Sequence, residues 1–188
     1  MTVYDQLDRT IFLALNFDGG AIADNFFFCL SHNIAFTPVA LLAIYLMIHR
    51  TGWRNALIAT ALIIAGVVLA DQVCNLMKIS IAKPRPTYNH DLTELVHTVK
   101  GRMGGMYGAF SAHAATVCVI AVASSKIVDI RRYTIAVFIW AAAVCYSRIY
   151  LGFHYLTDII YGALTGYIFA RMVLYLFGRY ISHQKGRG

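Results

Sequence analysis

Residues 55–70 read NALIATALIIAGVVLA, sixteen positions without a charge and with only Asn55 and Thr60 polar. Extended by its flanks, such a run reaches the roughly 20 residues a helix needs to cross a bilayer. Similar stretches follow at 110–125, 133–147 and 159–178, the last interrupted only by Arg171, and one precedes it at 37–48. Of the 188 residues 59% are apolar and only 13% charged, against about 25% charged in an ordinary soluble domain. The sequence therefore predicts an all-α integral membrane bundle of five spans, or six if the N-terminal segment also crosses, forming one domain over residues 1–188.

That prediction excludes a cytosolic enzyme. It also changes the meaning of the net charge of +7, because the basic residues are scattered between apolar segments instead of forming the stripe that binds nucleic acid. No nucleic-acid partner is expected. The four cysteines, Cys29, Cys74, Cys118 and Cys145, stand in apolar stretches without the paired spacing of a zinc or redox site and are read as reduced packing residues. Asp5 and Asp8 occupy the place where a signal peptide would carry basic residues, so insertion is assigned to internal segments. Over residues 3–16, Leu7, Ile11, Leu13 and Leu15 alternate imperfectly with Asp5, Asp8 and Arg9, the pattern of an interfacial helix. After the turn Asp18-Gly19-Gly20, the first span should begin between residues 21 and 36 and end at His49.

Orientation follows from basic residues in short loops. Arg50 and Arg54, then Lys126, Arg131 and Arg132, then Arg179, Lys185 and Arg187 fall on one face if the spans alternate. That face is expected to be cytoplasmic. The opposite face nevertheless receives Lys78, Lys83, Arg85, Lys100, Arg102 and Arg148, and a bound anion would explain charge placed there.

Three pieces of chemistry converge on that second face. Lys78-Ile79-Ser80-Ile81-Ala82-Lys83-Pro84-Arg85-Pro86 ends the second span and holds Arg85 between two prolines, a preorganised fork for an oxyanion. Ser111-Ala112-His113 opens the third span after a glycine-rich loop, where a helix N-terminus offers free N–H groups to an anion and His113 can serve as an acid. Between the last two spans, Ser147-Arg148 precedes His154 and Asp158, spaced i, i+4, so that the carboxylate can hold one imidazole nitrogen and leave the other as a nucleophile.

The series Lys-x6-Arg-Pro, Ser-x-His and Ser-Arg-x5-His-x3-Asp over residues 78–158 resembles the three-part signature of the type 2 phosphatidic acid phosphatase superfamily. The resemblance implies a metal-independent lipid phosphatase without a cofactor. His154 would attack phosphorus, Asp158 would orient it and His113 would protonate the leaving oxygen. Lys78, Arg85, Arg148, Ser111 and the Ala112 amide would hold the phosphate. Phe110 and Ala112 stand where the family usually has Pro and Gly, which leaves the cradle intact if Ala112 does not need a positive φ.

The resemblance further implies a lipid phosphate partner within the bilayer. The site is expected at the periplasmic or exterior edge of the cytoplasmic membrane. Undecaprenyl diphosphate is the first candidate, ahead of phosphatidylglycerol phosphate, phosphatidic acid and lipid A. A phosphotransferase and a non-catalytic lipid-binding or transport protein are the alternatives. The sequence carries no signal of oligomeric state.

Several other residues invite simpler readings. Lys83 and Lys100 are expected to be solvated or headgroup-facing charges. Asp71, two helical turns before Lys78, is assigned chiefly a structural role toward a neighbouring span. His90, Glu94 and His97 are expected on a solvated helix over the site, as a lid or headgroup reader, and not as a metal centre. Tyr150, Phe153 and Tyr155 are expected either to pack or to line a lipid entry gap.

Overall fold

A computed structural model describes residues 3–32 and 35–186 of the chain; Arg187, counted above with the cytoplasmic charges, lies outside them. Seven α-helices run in the order α1 (Val3–Leu15), α2 (Gly20–Leu30), α3 (Phe36–Thr51), α4 (Trp53–Ile81), α5 (Ala112–Val128), α6 (Arg131–Tyr150) and α7 (Leu156–Lys185). No strand forms among the described residues.

Three of these helices, α4, α6 and α7, are each long and apolar enough to cross a membrane. The 16-residue α3 and 17-residue α5 are apolar as well, about 24 and 26 Å long at 1.5 Å per residue. α5 is the hub, packing against α3, α4, α6 and α7. Its sequence suits that place, since the buried positions Ala114, Ala115, Val117, Val119, Ala121 and Ala123 run round the helix instead of along one stripe. The first span thus starts at Phe36, at the late edge of the expected range.

Close approach of α5 and α7 depends on two glycines one turn apart. A Cβ at Gly162 would overlap the Ser111 carbonyl, and one at Gly166 would overlap the Ala115 carbonyl. This Gly-x-x-x-Gly face lets the two backbones touch, as small residues do in membrane helix pairs. It places the N-terminus of α5 beside that of α7, where the Ser111 N–H donates to the Asp158 carbonyl over 2.9 Å.

The ends of the bundle differ. At one end the Arg50 side chain donates to the carbonyls of Val128 (2.9 Å) and Asp129 (3.2 Å), tying the α3–α4 turn to the α5–α6 turn. At the other, α4 stops on left-handed Ala82 (φ 52°) two residues before Pro84. The long loop 82–111 then folds over that end.

α1 and α2 lie over the same end instead of crossing, in line with the expected interfacial helix. The buried face of α1 differs from the expected apolar one. Asp8, Phe12 and the following Asn16 are buried at i, i+4 and i+8, while Leu7 is exposed. Asn16 donates to the carbonyls of His97, Ile149 and Tyr150 at 2.8–3.1 Å, so hydrogen bonds to loop and helix ends outweigh apolar burial on this helix.

Candidate active site

His154 and Asp158 come together as their spacing predicts. His154 Nδ1 lies 3.2 Å from Asp158 Oδ2, with 2% and 1% of the two side chains exposed. A carboxylate only accepts, so Nδ1 carries the proton and Nε2 keeps its lone pair. Burial pushes the His154 imidazole down to about 4, against the Asp158 bond and charge that raise it. The ring is neutral near pH 7.

Asp158 is in turn fixed from several sides. Its Oδ2 also accepts the Tyr155 N–H over 3.2 Å, and Oδ1 lies 3.3 Å from Lys83 Nζ. Gly108 leaves room for it, since a Cβ there would come within 2.8 Å of Oδ2.

Arg85 of the first motif and Arg148 of the third face a cavity of about 420 Å³ lined also by His113, Phe153, Arg102 and Gly104 among others. Backbone carbonyls steer Arg85: Nε donates to Tyr107 (3.0 Å) and Nη1 to Phe153 (3.4 Å). Burial holds its pKa below the ordinary arginine value, against the opposing field of Asp158. Arg148 stacks 4.4 Å from the Phe153 ring centroid and donates through Nη1 to the Ser31 hydroxyl. Its buried Nε has no hydrogen-bond partner among the described residues. Neither arginine forms an ion pair among them. Two partly or fully buried guanidiniums without a directly paired carboxylate make a site for an anion, and the Arg148 Nε is a donor that can meet it.

The remaining predicted residues sit around this centre. Ser111 caps α5, accepting the Ala114 N–H at 3.4 Å. Ala112 is the first helical residue and is not among the positive-φ positions; that conformation falls instead on Ala109 (φ 58°). Alanine in place of glycine therefore costs the cradle no backbone strain. His113 lines the main cavity and also a second one of about 300 Å³ shared with Phe36, Asp71, Ala112 and Thr116. Lys78 is half-buried and donates to Asn75 Oδ1 over 3.0 Å, within the electrostatic reach of Arg85 and Arg148. His154, Lys78 and Ser111 do not line the main cavity.

Three expectations are corrected. Lys83 is not a solvated charge: it bridges Asp8 (3.0 Å) and Asp158 (3.3 Å). Burial pushes its ammonium down, but the charges and hydrogen bonds of those two carboxylates outweigh it and hold its pKa above the ordinary value. Asp71 makes no hydrogen bond to another span among the described residues; it accepts from Asn75 one turn on, which in turn accepts from Lys78, a relay along α4. Residues 90–95 form turns and no helix, because Asn89 captures the chain through its carbonyl and side chain. His97 faces Asp24 (2.9 Å) instead of His90 and Glu94. Of the two readings for Tyr150 and Tyr155, packing describes them: they are buried against Phe27 of α2 and Phe12 of α1. Lys100 is exposed, as expected, over the Phe28 ring.

Sequence reasoning missed Asp8 and the Gly162/Gly166 pair. The glycine spacing was a readable signal for close helix contact. Asp8 carried none, because an acidic residue on an amphipathic helix ordinarily faces water.

Comparison with known proteins places this geometry in a family. The model of the PAP2 superfamily matches residues 56–182. The lipid A 4'-phosphatase of Porphyromonas gingivalis is 30% identical over 164 residues, covering 87% of this chain and 70% of that protein. The protein of the same name from Bacteroides thetaiotaomicron is 28% identical over 163 residues, 86% and 72% of the two chains. Among solved structures, LpxE of Aquifex aeolicus superposes with a TM-score of 0.70 at 22% identity, covering 89% of this chain and 94% of that one. A PAP2-type phosphatidylglycerolphosphate phosphatase of Bacillus subtilis gives 0.65 at 16%, covering 97% and 88%. The chain belongs to the PAP2 superfamily and is a membrane-embedded lipid phosphatase.

Proposed function

We propose that this PAP2 superfamily member removes a phosphate from a lipid headgroup through a phosphohistidine, with a lipid A phosphate as the leading substrate. The observation that carries the chemistry is the pairing of a buried, carboxylate-held His154 with Arg85 and Arg148, cations in no ion pair among the described residues. The names of the two curated relatives support lipid A. Undecaprenyl diphosphate, phosphatidylglycerol phosphate and phosphatidic acid present the same phosphate to the same cations.

In this reading the Nε2 lone pair of His154 attacks phosphorus, and a P–N bond forms as the ester P–O bond breaks. His113 gives a proton to the departing oxygen. Water then attacks phosphorus, His113 takes up one of its protons, the P–N bond breaks and inorganic phosphate leaves. Lys78, Arg85 and Arg148, with Ser111 and the Ala112 amide at the start of α5, balance the charge that builds on the equatorial oxygens. Asp158 fixes the tautomer of His154 throughout.

The site end of the bundle is assigned to the periplasmic or outer face of the cytoplasmic membrane, because Arg50, Arg54, Lys126, Arg131, Arg132, Arg179 and Lys185 gather at the other end. The whole chain acts as one membrane domain.

The test is phosphate release by the purified protein with EDTA present, on bisphosphorylated lipid A, undecaprenyl diphosphate, phosphatidylglycerol phosphate and phosphatidic acid, beside His154→Ala. Release from lipid A that is lost in the variant is expected. Release only from another member of the panel reassigns the substrate. Loss of all release in EDTA, or release that survives His154→Ala, overturns the mechanism.

A further inference from the structure

Lys83 differs from Arg85 and Arg148, because it faces carboxylates instead of the cavity those two line. Its Nζ contacts Asp158 Oδ1 (3.3 Å), Asp8 Oδ2 (3.0 Å) and the Thr157 hydroxyl (3.1 Å), and lies 4.4 Å from the Tyr155 ring centroid. Asp8 reaches back to Thr157 with both oxygens: Oδ1 accepts the Thr157 N–H over 3.2 Å and Oδ2 accepts its hydroxyl. Asp8 is 6% exposed and Asp158 1%.

Both oxygens of Asp158 are therefore engaged, one by His154 and the Tyr155 N–H, the other by Lys83. Its torsion is fixed, and through it the imidazole plane. Asp8 does the equivalent for the first turn of α7, supplying an acceptor and a negative charge to N–H groups that a helix start leaves unpaired. Two buried carboxylates this close would repel without the ammonium between them.

We infer that Lys83 is a positioning residue for the reaction, and that with Asp8 it makes the interfacial helix α1 part of the active site. The inference rests on the phosphohistidine reading above. Lys83 acts through Asp158 on His154 and does not touch the phosphate.

The sign of its effect on pH dependence follows from the surrounding charges. Asp158 faces Lys83 and Arg85 of the loop after α4, Asp8 of α1, and His154 and Tyr155 of the α6–α7 loop. Arg148 of α6 and His113 of α5 act on His154 beyond it. Removing one cation from this set makes protonation of the His154–Asp158 pair easier. The acid limb of the rate profile then moves to higher pH.

The experiment uses the full chain in detergent and the panel lipid that the wild type hydrolyses. Lys83→Met should lower kcat roughly 10- to 100-fold, leave KM unchanged and raise the acid limb by roughly one pH unit. Lys83→Arg should restore most of the rate. Asp8→Asn should also lower kcat but move the acid limb the opposite way, because Lys83 then serves Asp158 alone; this variant carries the test if Lys83→Met fails to fold. A wild-type kcat and acid limb in Lys83→Met, or a fall in rate that Lys83→Arg does not reverse, would overturn the inference. If the wild type releases phosphate from no panel lipid, the functional reading fails separately. The positioning role is then judged by ¹⁵N-histidine NMR, where an unmoved His154 titration in Lys83→Met overturns it.

Discussion

Arg148 shows most directly what the site asks for. The residue is 8% exposed, its guanidinium stacked on Phe153 and bonded through Nη1 to Ser31, while Nε has no partner among the described residues. A buried donor left unpaired costs about 1–3 kcal/mol, and a phosphate oxygen would remove that cost. His113 is the residue whose role is most open to a selective test. A general acid matters in proportion to how poor the leaving group is, and general acid catalysis contributes about 10²–10⁴-fold. His113→Asn should therefore lose about that much with a lipid alcohol as leaving group and far less with an aryl phosphate. The measurement is the ratio of the two rates in variant and wild type; an equal loss on both would argue that His113 holds phosphate instead.

The residues proposed as catalytic were legible at this scale because each lies in a short motif whose spacing is itself the geometry. Four residues on a helix start bring His154 to Asp158 whatever the rest of the chain does. Lys83 was not legible. Its partners Asp8 and Asp158 lie 75 residues away in either direction, and nothing local distinguishes it from a headgroup-facing lysine.

Among the elements, α5 and α7 govern the precision of the site. Their contact at Gly162 and Gly166 sets the distance between Ser111, which begins one helix, and Asp158, which begins the other. Gly162→Ala should force the helices apart at Ser111, costing about 1–3 kcal/mol as overpacking does, with phosphate release falling more than stability alone would require. Thermal unfolding in detergent beside the rate checks this. An alanine variant that melts and turns over like the wild type would show that the backbones can separate without disturbing the site.

The spans were readable as elements because apolar length reports them whatever their packing. The N-terminal helices were readable only as interfacial. Periodicity of apolar residues pointed to the Leu7 face of α1, whereas the helix is seated by Asp8 and Asn16 through hydrogen bonds that pattern cannot anticipate. Residues 90–97 erred the other way: helical spacing of His90, Glu94 and His97 was present without a helix, because Asn89 closes a turn there.

Over the whole molecule, charge divides by role. At one end the basic residues are exposed or bonded to carbonyls, as Arg50 is, and suit the cytoplasmic face. At the other, Arg85 and Arg148 are drawn inward. This arrangement predicts that Arg131→Cys, in a Cys29→Ala background because Cys29 is exposed, will resist an impermeant thiol reagent applied to intact cells and react once the membrane is opened. Labelling from outside would reverse the orientation and place the site in the cytoplasm.

The bond from Asp8 to Thr157 joins residues 149 positions apart, and so joins the helix synthesised first among those described to the one synthesised last. At roughly 5–20 residues per second, about seven to thirty seconds separate their appearance from the ribosome. Until α7 has emerged, Asp158 and His154 are missing from the bilayer, and Asp8 and Lys83 have no third partner. On the proposed mechanism, hydrolytic competence therefore arrives only as the final act of assembly.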